Sequence, residues 1–109
     1  MTNAKSEFIT HTSKVNSSIV CALLTREVFD SEIYEYIDVD YILPVNYTPD
    51  EYEKFLSEID YEYNAGYGGQ EIDGTIFYSD DSWSERGEYD GSEWWEYKKL
   101  PEIPFQCRR

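Results

Sequence analysis

The sequence has very little of the chemistry that metal, disulfide and nucleotide-phosphate sites require. Its one histidine, His11, and its two cysteines, Cys21 and Cys107, lie far apart and form neither a CxxC pair nor a zinc-ligand pattern. The glycine-rich stretch at residues 64–69 lacks the Gly-Lys-Ser/Thr ending of a phosphate-binding loop. We therefore predict no metal, no cofactor and no phosphate loop.

Long apolar runs are also missing. No stretch is long enough to span a bilayer, and no apolar signal segment stands at the start of the sequence. We expect no membrane partner, and we expect both cysteines to be reduced thiols in a cytoplasm rather than a disulfide.

Basic residues are almost absent from the centre of the chain. Residues 27–96 contain 21 aspartates and glutamates but only Lys54 and Arg86 as bases, a net charge of −19, whereas the two ends together carry +5. All eleven tyrosines and all three tryptophans also lie between Tyr34 and Tyr97. Such aromatics can stack on the bases of single-stranded nucleic acid, but a body of this charge repels phosphates. We expect no direct binding to nucleic acid.

The 109 residues and their 40% hydrophobic content suffice for one core. We predict a flexible N-terminal arm at residues 1–18, with at most an edge strand around residues 8–12. A single acidic α+β domain follows at residues 19–105, and a basic C-terminal tail at residues 106–109. We expect the domain to be an antiparallel meander of about four to six strands with one helix near residues 49–59.

The strongest local signal in the chain predicts this helix. Thr48 provides a cap, Pro49 suits the first helical position, and Glu51 closes a capping box. The apolar residues that follow recur at helical spacing and predict one buried stripe, formed by Tyr52, Phe55, Leu56 and Ile59.

The apolar residues 19–29 fit either a buried strand or a helix, and we favour the strand because a partner strand follows. Residues 32–43 come after a turn at Asp30 and Ser31 and alternate in polarity. The apolar parity of that partner is Ile33, Ile37, Val39, Tyr41 and Leu43; the polar parity is Tyr34, Tyr36, Asp38 and Asp40.

Further strands are predicted at residues 59–63, 70–78, 83–89 and 93–99. The dipeptide Asp90-Gly91 is typical of a two-residue hairpin turn. We expect residues 101–104 to form an extended segment across the sheet.

The acidic surface has two interpretations: a solvated face that keeps the protein soluble, or a surface that imitates the phosphates of DNA. The excess of acidic residues favours the second. A small domain stays dissolved with a net charge of magnitude about 2 to 8, and this chain carries −14. Same-face residues of a strand lie roughly 6.6 to 6.8 Å apart, so alternating acids form ordered rows. The acids predicted to bind a partner are Asp38, Asp40, Asp60, Glu62, Asp73, Asp80, Asp81, Glu85, Glu88 and Asp90. The aromatic residues predicted to add contact area are Tyr34, Tyr36, Trp83 and Tyr89.

Residues 74–104 carry the pattern GTI-aromatic-x-x-D-x-(S/T)-W, followed by RGEYDGSEWW and PxIP. This segment, about a third of the chain, resembles one found in small early or accessory proteins of tailed bacteriophages. The resemblance implies a setting, a phage gene expressed in the cytoplasm of a bacterial host. In composition the chain is similar to phage DNA-mimic inhibitors of restriction enzymes, CRISPR effectors, host nucleases or RNA polymerase, although it has no motif specific to any of them.

We therefore predict a non-enzymatic phage inhibitor that mimics DNA. Its partner would be a host defence protein with a basic nucleic-acid groove, bound by a monomer or a homodimer. One alternative is that an aromatic surface binds a host protein such as RNA polymerase or a defence effector, with charge used for steering. A second alternative is a small enzyme or a nucleotide-sequestering protein acting on a defence signal, which requires a partly basic, ligand-sized pocket around Arg26 or Arg86.

Overall fold

The computed structural model describes residues 1–66 and 69–109, which form a single α+β domain. In chain order the elements are β1 (Thr2–Asn3), α1 (Ala4–Ser13), β2 (Ile19–Asp30), β3 (Glu35–Leu43), α2 (Pro49–Glu58), β4 (Glu62–Tyr63), β5 (Ile72–Tyr78), β6 (Trp83–Tyr89) and β7 (Ser92–Lys98). A short 3-10 turn at Phe105–Cys107 follows. The predicted fold class, α+β with an antiparallel sheet, is confirmed.

Five strands form one antiparallel sheet in the order β3-β2-β5-β6-β7, and β1 and β4 form a separate antiparallel pair. The last three strands are a meander, as predicted, but β5 pairs with β2 and not with β3. A meander through the whole chain is therefore wrong. Between β3 and β5 the chain passes through α2 and β4, and it re-enters the sheet beside the other edge of β2.

Strand β2 confirms the strand prediction for residues 19–29. Leu24 is 1% exposed whereas its neighbour Leu23 is 42% exposed, as the two-residue period of a strand requires. The predicted apolar parity of β3 holds at one end only, because Leu43 is buried but Ile37 is exposed. Ile33 lies in the turn before β3 and is also exposed.

Helix α2 begins with the predicted capping box. The amide of Glu51 donates to Oγ1 of Thr48 at 3.1 Å, and the amide of Thr48 donates to Oε1 of Glu51 at 3.0 Å. Phe55 is buried in the helix, and Ile59 is buried at its C-cap, so the predicted stripe faces the core.

Residues 4–13 form helix α1, so the prediction of a loose N-terminal arm is wrong. Asn3 caps this helix, because its Oδ1 accepts a hydrogen bond from the amide of Ser6 at 2.9 Å. Phe8 is 0% exposed, and its ring centroid lies 5.3 Å from that of Phe55. The helix buries only Ala4 and Phe8, too few residues for the apolar period by which a helix is recognised in a sequence.

Both helices cover the same face of the five-stranded sheet. The core residues from strands and helices are Ala4, Phe8, Ala22, Leu24, Leu43, Phe55, Leu56, Ile59, Tyr63, Ile72, Ile76, Tyr78 and Trp95. On the opposite face, which we call the open face, Leu23, Phe77 and Ile42 are 42%, 48% and 62% exposed. The sheet thus has one dry face and one solvated face, as antiparallel sheets commonly do.

The shorter connections agree only in part with the predictions. The strand predicted at residues 59–63 is β4, which is confined to Glu62 and Tyr63 and pairs with β1. Tyr63 is buried and Glu62 is exposed, as the predicted alternation indicates. Asp90 and Gly91 have φ angles of 50° and 84°, which confirms the two-residue hairpin turn. The predicted glycine-rich turn at residues 64–69 includes residues 67 and 68, which lie outside the described residues.

The C-terminal segment does not lie across the sheet, so that prediction is wrong. Leu100, Ile103 and Phe105 are 70%, 64% and 84% exposed. Pro101 and Pro104 have no amide hydrogens with which to join the edge of β7. Both cysteines are free thiols.

Candidate protein-binding surface

Four carboxylates lie together on the open face where β3, β2 and β5 run side by side. Glu27 lies directly opposite Asp38, and in the next row Thr25 lies between Asp40 and Asp73. Neighbouring strands are about 4.8 Å apart and same-face residues along a strand about 6.7 Å apart. The four residues Glu27, Asp38, Asp40 and Asp73 therefore share one small patch, which we call the acidic quartet.

The acidic quartet carries negative charge that the protein does not neutralise. In the described part of the chain, no lysine, arginine or histidine forms a salt bridge with any of the four. Asp40 accepts a hydrogen bond from Oγ1 of Thr25 at 2.8 Å, and Asp73 accepts one from the amide of Gly74 at 2.9 Å. Like charges directly opposite each other destabilise a sheet. The Glu27–Asp38 pair therefore costs folding free energy that a cationic partner would offset.

The other half of the open face, on β6 and β7, is internally paired. Nζ of Lys98 lies 2.8 Å from Oε1 of Glu85 and 3.7 Å from Oε2 of Glu96. Trp83 donates its indole N–H to Glu85 at 3.2 Å. Lys98, followed by Trp83, holds the pKa of Glu85 below its usual range. Glu85, predicted as a binding acid, already has partners within the protein.

The remaining predicted acids lie away from the acidic quartet. Asp60 and Glu62 lie at the small β1–β4 sheet, and Asp60 accepts a hydrogen bond from Nδ2 of Asn3 at 2.9 Å. The others lie at turns or strand ends: Asp80 and Asp81 in the β5–β6 turn, Glu88 near the end of β6, and Asp90 in the β6–β7 turn. Hydrogen bonds from Ser82 lower the pKa of Asp80.

The structure thus brings together Asp38, Asp40 and Asp73 from the ten predicted acids and adds Glu27 to them. Sequence reasoning missed Glu27 because it assigned that residue to the end of a buried strand. A hairpin whose turn spans residues 31–34 places Glu27 opposite Asp38, and this register is the signal that identifies it.

The predicted aromatic residues lie in separate places. Tyr34 and Tyr36 are 82% and 67% exposed, and both rings contact Phe29, at centroid distances of 5.8 and 5.3 Å. Trp83 is half-buried on β6, and Tyr89 is 76% exposed at the end of the same strand. Phe29, itself 48% exposed, was not among the predicted residues.

Arg86 lies inside the protein and is no anchor for an anionic ligand. Its guanidinium contacts Oε1 of Glu7 at 2.9 Å and Oε1 of Glu93 at 2.8 Å, and it donates to the hydroxyl of Tyr63 at 2.9 Å. Burial by itself would lower the pKa of Arg86, but Glu7, Tyr63 and Glu93 outweigh burial and raise it. Through Nη1 and Nη2 the cation joins α1, β4, β6 and β7, whereas its buried Nε has no hydrogen-bond partner among the described residues.

The cleft beside Arg26 is small and mixed in charge. Its volume is about 190 Å³, below the range of roughly 300 to 1,000 Å³ that is usual for ligand sites. Glu27 and Glu71 line it together with Arg26, and the guanidinium carbon of Arg26 lies 3.8 Å from the ring centroid of Tyr61. Neither arginine therefore favours the nucleotide-sequestering alternative.

One buried hydrogen-bond chain has the composition of a nucleophile and its base. Nε2 of His11 and the hydroxyl of Tyr78 each lie 2.7 Å from Oγ of Ser84. Ser84 is 0% exposed, so its hydroxyl has no surface on which to meet a substrate. These hydrogen bonds instead link α1 to the sheet. Burial, followed by Lys14, lowers the pKa of His11.

Residues 1–66 and 69–109 contain no candidate metal site and no candidate membrane-spanning helix. No group of three or more histidine, cysteine, aspartate or glutamate side chains is arranged to hold a metal ion. No helix in those ranges combines the length and the hydrophobicity needed to cross a membrane. Comparison of the chain with protein-family models, curated protein sequences and solved structures found no match.

Proposed function

We propose that this protein is a non-enzymatic inhibitor that occupies the basic groove in which another protein holds nucleic acid. The observation that carries the proposal is the acidic quartet, in which Glu27 and Asp38 lie directly opposite each other and, within the described residues, have no cationic partner. The sequence resemblance suggests that the inhibitor is phage-encoded and acts in the bacterial host. Its target would be a defence protein, such as a restriction enzyme, a CRISPR effector or another nuclease.

The physical basis is competition for the charges that bind phosphates. Duplex DNA carries one negative charge per about 1.7 Å of helix axis, so a groove that holds it is lined with lysine and arginine. The acidic quartet offers such a groove four carboxylates on a solvated face. The binding partner then supplies the cations that the acidic quartet lacks. Association is expected to be fast at low salt and strongly slowed at high salt.

The exposed aromatic residues favour a second candidate function, binding to a host protein through apolar contacts. Tyr34 and Tyr36 present large rings to solvent, and tyrosine is a common residue at the energetic centre of protein interfaces. In that case charge would steer the encounter but would contribute little to the lifetime of the complex. Salt sensitivity therefore separates the two candidates.

Affinity capture tests the proposal. The tagged full-length protein is incubated with a bacterial lysate that has been treated with nuclease, and the resin is washed at low and then at moderate salt. Captured proteins are identified by mass spectrometry, and a parallel sample is challenged with duplex DNA. A matched column carries the protein with Glu27→Gln, Asp38→Asn, Asp40→Asn and Asp73→Asn.

The proposal predicts a nucleic-acid-binding protein that is retained at low salt, released at moderate salt and displaced by duplex DNA. The four-substitution column should retain much less of it. A partner that resists both salt and DNA, and that binds the two columns equally, would refute the proposal and support the aromatic candidate.

A further inference from the structure

The β2–β3 hairpin extends beyond the rest of the sheet. Pairing between β2 and β5 ends at Arg26 and Ile72, whereas pairing between β2 and β3 continues to Asp30 and Glu35. Among the described residues, residues 27–38, which we call the hairpin arm, therefore have only each other as strand partners. Ten of these twelve residues are exposed and the other two are half-buried. The arm is a two-stranded ribbon with solvent on both faces.

The hairpin arm carries an unusual number of large side chains for an exposed ribbon. Phe29, Ile33, Tyr34, Tyr36 and Ile37 are between 39% and 82% exposed. The rings of Tyr34 and Tyr36 both pack on Phe29 edge to face. Monomeric proteins rarely expose a contiguous apolar patch without a function for it. Phe29, Tyr34 and Tyr36 form such a patch, whereas Ile37 lies on the other face of the ribbon. The patch therefore indicates a docking element.

Charge complementarity identifies the chemistry of the occupant. The hairpin arm contains five acids and no lysine or arginine: Glu27, Asp30, Glu32, Glu35 and Asp38. A guanidinium group can stack on a tyrosine ring and form an ion pair with a neighbouring carboxylate at the same time. A lysine ammonium is a compact, strongly hydrated charge and matches a stacked ring less well. The arm is thus suited to arginine in particular.

We propose that the hairpin arm inserts into an arginine-lined groove of the partner, with Tyr34 and Tyr36 stacked on guanidinium groups. This inference rests on the proposed function and specifies which part of the protein enters the groove. The acidic quartet shares Glu27 and Asp38 with the base of the arm, so the two surfaces are continuous.

The same charges disfavour two other occupants. A second copy of the chain would bring two sets of five acids together without bases to pair them. An anionic lipid surface attracts basic segments and repels an acidic arm. Both occupants remain distinguishable outcomes of the experiment below.

The test is a titration of the isotope-labelled full-length protein, followed by NMR, with a peptide of nine arginines and with a peptide of nine lysines. The largest chemical-shift changes are expected within residues 27–38, and the arginine peptide should bind several-fold more tightly. The double variant Tyr34→Asn/Tyr36→Thr, which keeps the net charge, should bind the arginine peptide about tenfold more weakly.

The variants are chosen so that folding is not the cause of the loss. Tyr34 has a φ of 56°, which asparagine tolerates better than tyrosine, and threonine suits the strand position of Tyr36. Phe105→Ser is the matched control, because it removes a similarly exposed aromatic ring outside the arm. Thermal unfolding of each variant is recorded in parallel, and the control should bind as the wild type does.

Several results would overturn the insertion of the arm. One is that the chemical shifts change most at Asp40, Asp73 and Glu85 and do not change within the hairpin arm. Another is that the two peptides bind equally tightly. A third is that the double variant binds the arginine peptide with an affinity within twofold of the wild type. Sedimentation analysis that shows a wild-type dimer lost in the double variant would assign the arm to a second copy. Binding to anionic phospholipid vesicles that the double variant loses would assign the arm to a lipid surface.

Failure of this inference can be separated from failure of the proposed function. A captured partner that duplex DNA displaces, but that binds the double variant as well as the wild type, leaves the proposed function in place and refutes arm insertion. A partner that duplex DNA does not displace refutes the proposed function, whatever the peptides show.

Discussion

Nη2 of Arg86 lies 2.8 Å from Oε1 of Glu93, and neither side chain has any exposed surface. Oε1 of Glu93 also accepts a hydrogen bond from the amide of Ile72 at 3.0 Å. This buried ion pair holds β6 and β7 against the start of β5. It also withdraws from solvent one of the two bases found in residues 27–96.

Arg86→Met should destabilise the protein by about 3 to 5 kcal/mol, because it leaves the buried Glu93 carboxylate without its cation. Urea unfolding measures the change. Lys98→Met is the control: it removes an ion pair of the same length, 2.8 Å to Glu85, but from an exposed position. That substitution should cost far less, because solvent-exposed ion pairs contribute little to stability. Equal losses from the two variants would show that burial of the Arg86 pair has no energetic role.

Phe8→Ala tests whether α1 is part of the core. Removing a fully buried phenylalanine ring that contacts Phe55 and Trp95 should cost about 3 to 5 kcal/mol in the free energy of unfolding. Ile9, one residue further along the same helix, is 39% exposed. Ile9→Ala should therefore lower the free energy of unfolding far less than Phe8→Ala does. If the two substitutions have the same small effect, α1 does not pack as described.

Gly74→Ala should destabilise the protein by about 1 to 3 kcal/mol, as overpacking does. A Cβ at position 74 would lie 2.6 Å from the carbonyl oxygen of Leu23, a backbone atom of the neighbouring strand that cannot turn away. Gly66→Ala is the matched control, because a Cβ there meets no atom of the described residues within 4 Å. Thermal unfolding of both variants gives the comparison, and a Gly74→Ala protein as stable as the control would contradict the close approach of β2 and β5.

Stability should fall as the pH drops below about 6.5, because of His11. Burial, then Lys14, lowers the pKa of His11 in the folded protein, whereas Glu7 acts in the opposite sense. The unfolded chain therefore binds a proton near pH 6.5 that the folded chain accepts only at lower pH. The stability that the neutral His11 contributes to the folded protein is complete above pH 6.5. It is lost as the pH falls through the pKa of His11 in the folded protein.

Urea unfolding at about pH 7.5 and about pH 5.5 measures this loss. The wild type should lose more stability over this interval than His11→Gln, which cannot titrate. Asp80 and Glu85 also have lowered pKa values, but the ordinary pKa values of these side chains are 3.8 and 4.5, so their contributions to stability disappear at lower pH. A wild type and variant with parallel pH profiles would show that His11 is not responsible.

The sequence predicts those elements whose signals are local. The capping box at Thr48 and Glu51 and the turn at Asp90 and Gly91 involve only neighbouring residues, and the structure has both. Helix α1 escapes prediction because its partner, Phe55, is distant in sequence, and Phe8 by itself does not form a stripe. Pairing of β5 with β2 also depends on how α2 packs, which no local pattern records.

The candidate site likewise combines residues that a local pattern predicts with residues that only the tertiary structure brings together. Alternation along β3 predicts that Asp38 and Asp40 share a face, and the register confirms it. Asp73 joins them only because β5 pairs with β2, and Glu27 joins them through the hairpin register. Arg86 looks like a free base in the sequence, and only the tertiary structure shows Glu7 and Glu93 around it.

The measurement that tests the central claim most directly is the association rate constant with the captured partner, at roughly 0.05 and 0.3 M salt. Three proteins are compared: the wild type, the four-substitution acidic-quartet variant, and an edge variant with Glu62→Gln, Asp81→Asn, Glu88→Gln and Asp90→Asn. Both variants lose four negative charges, but only one loses them from the open face.

The account predicts that the quartet variant associates at least about tenfold more slowly than the wild type at low salt and with a weaker salt dependence. The edge variant should stay within about threefold of the wild type. Equal slowing of the two variants would show that net charge matters and its arrangement does not. No slowing of either would contradict the claim that the acidic quartet meets a basic groove.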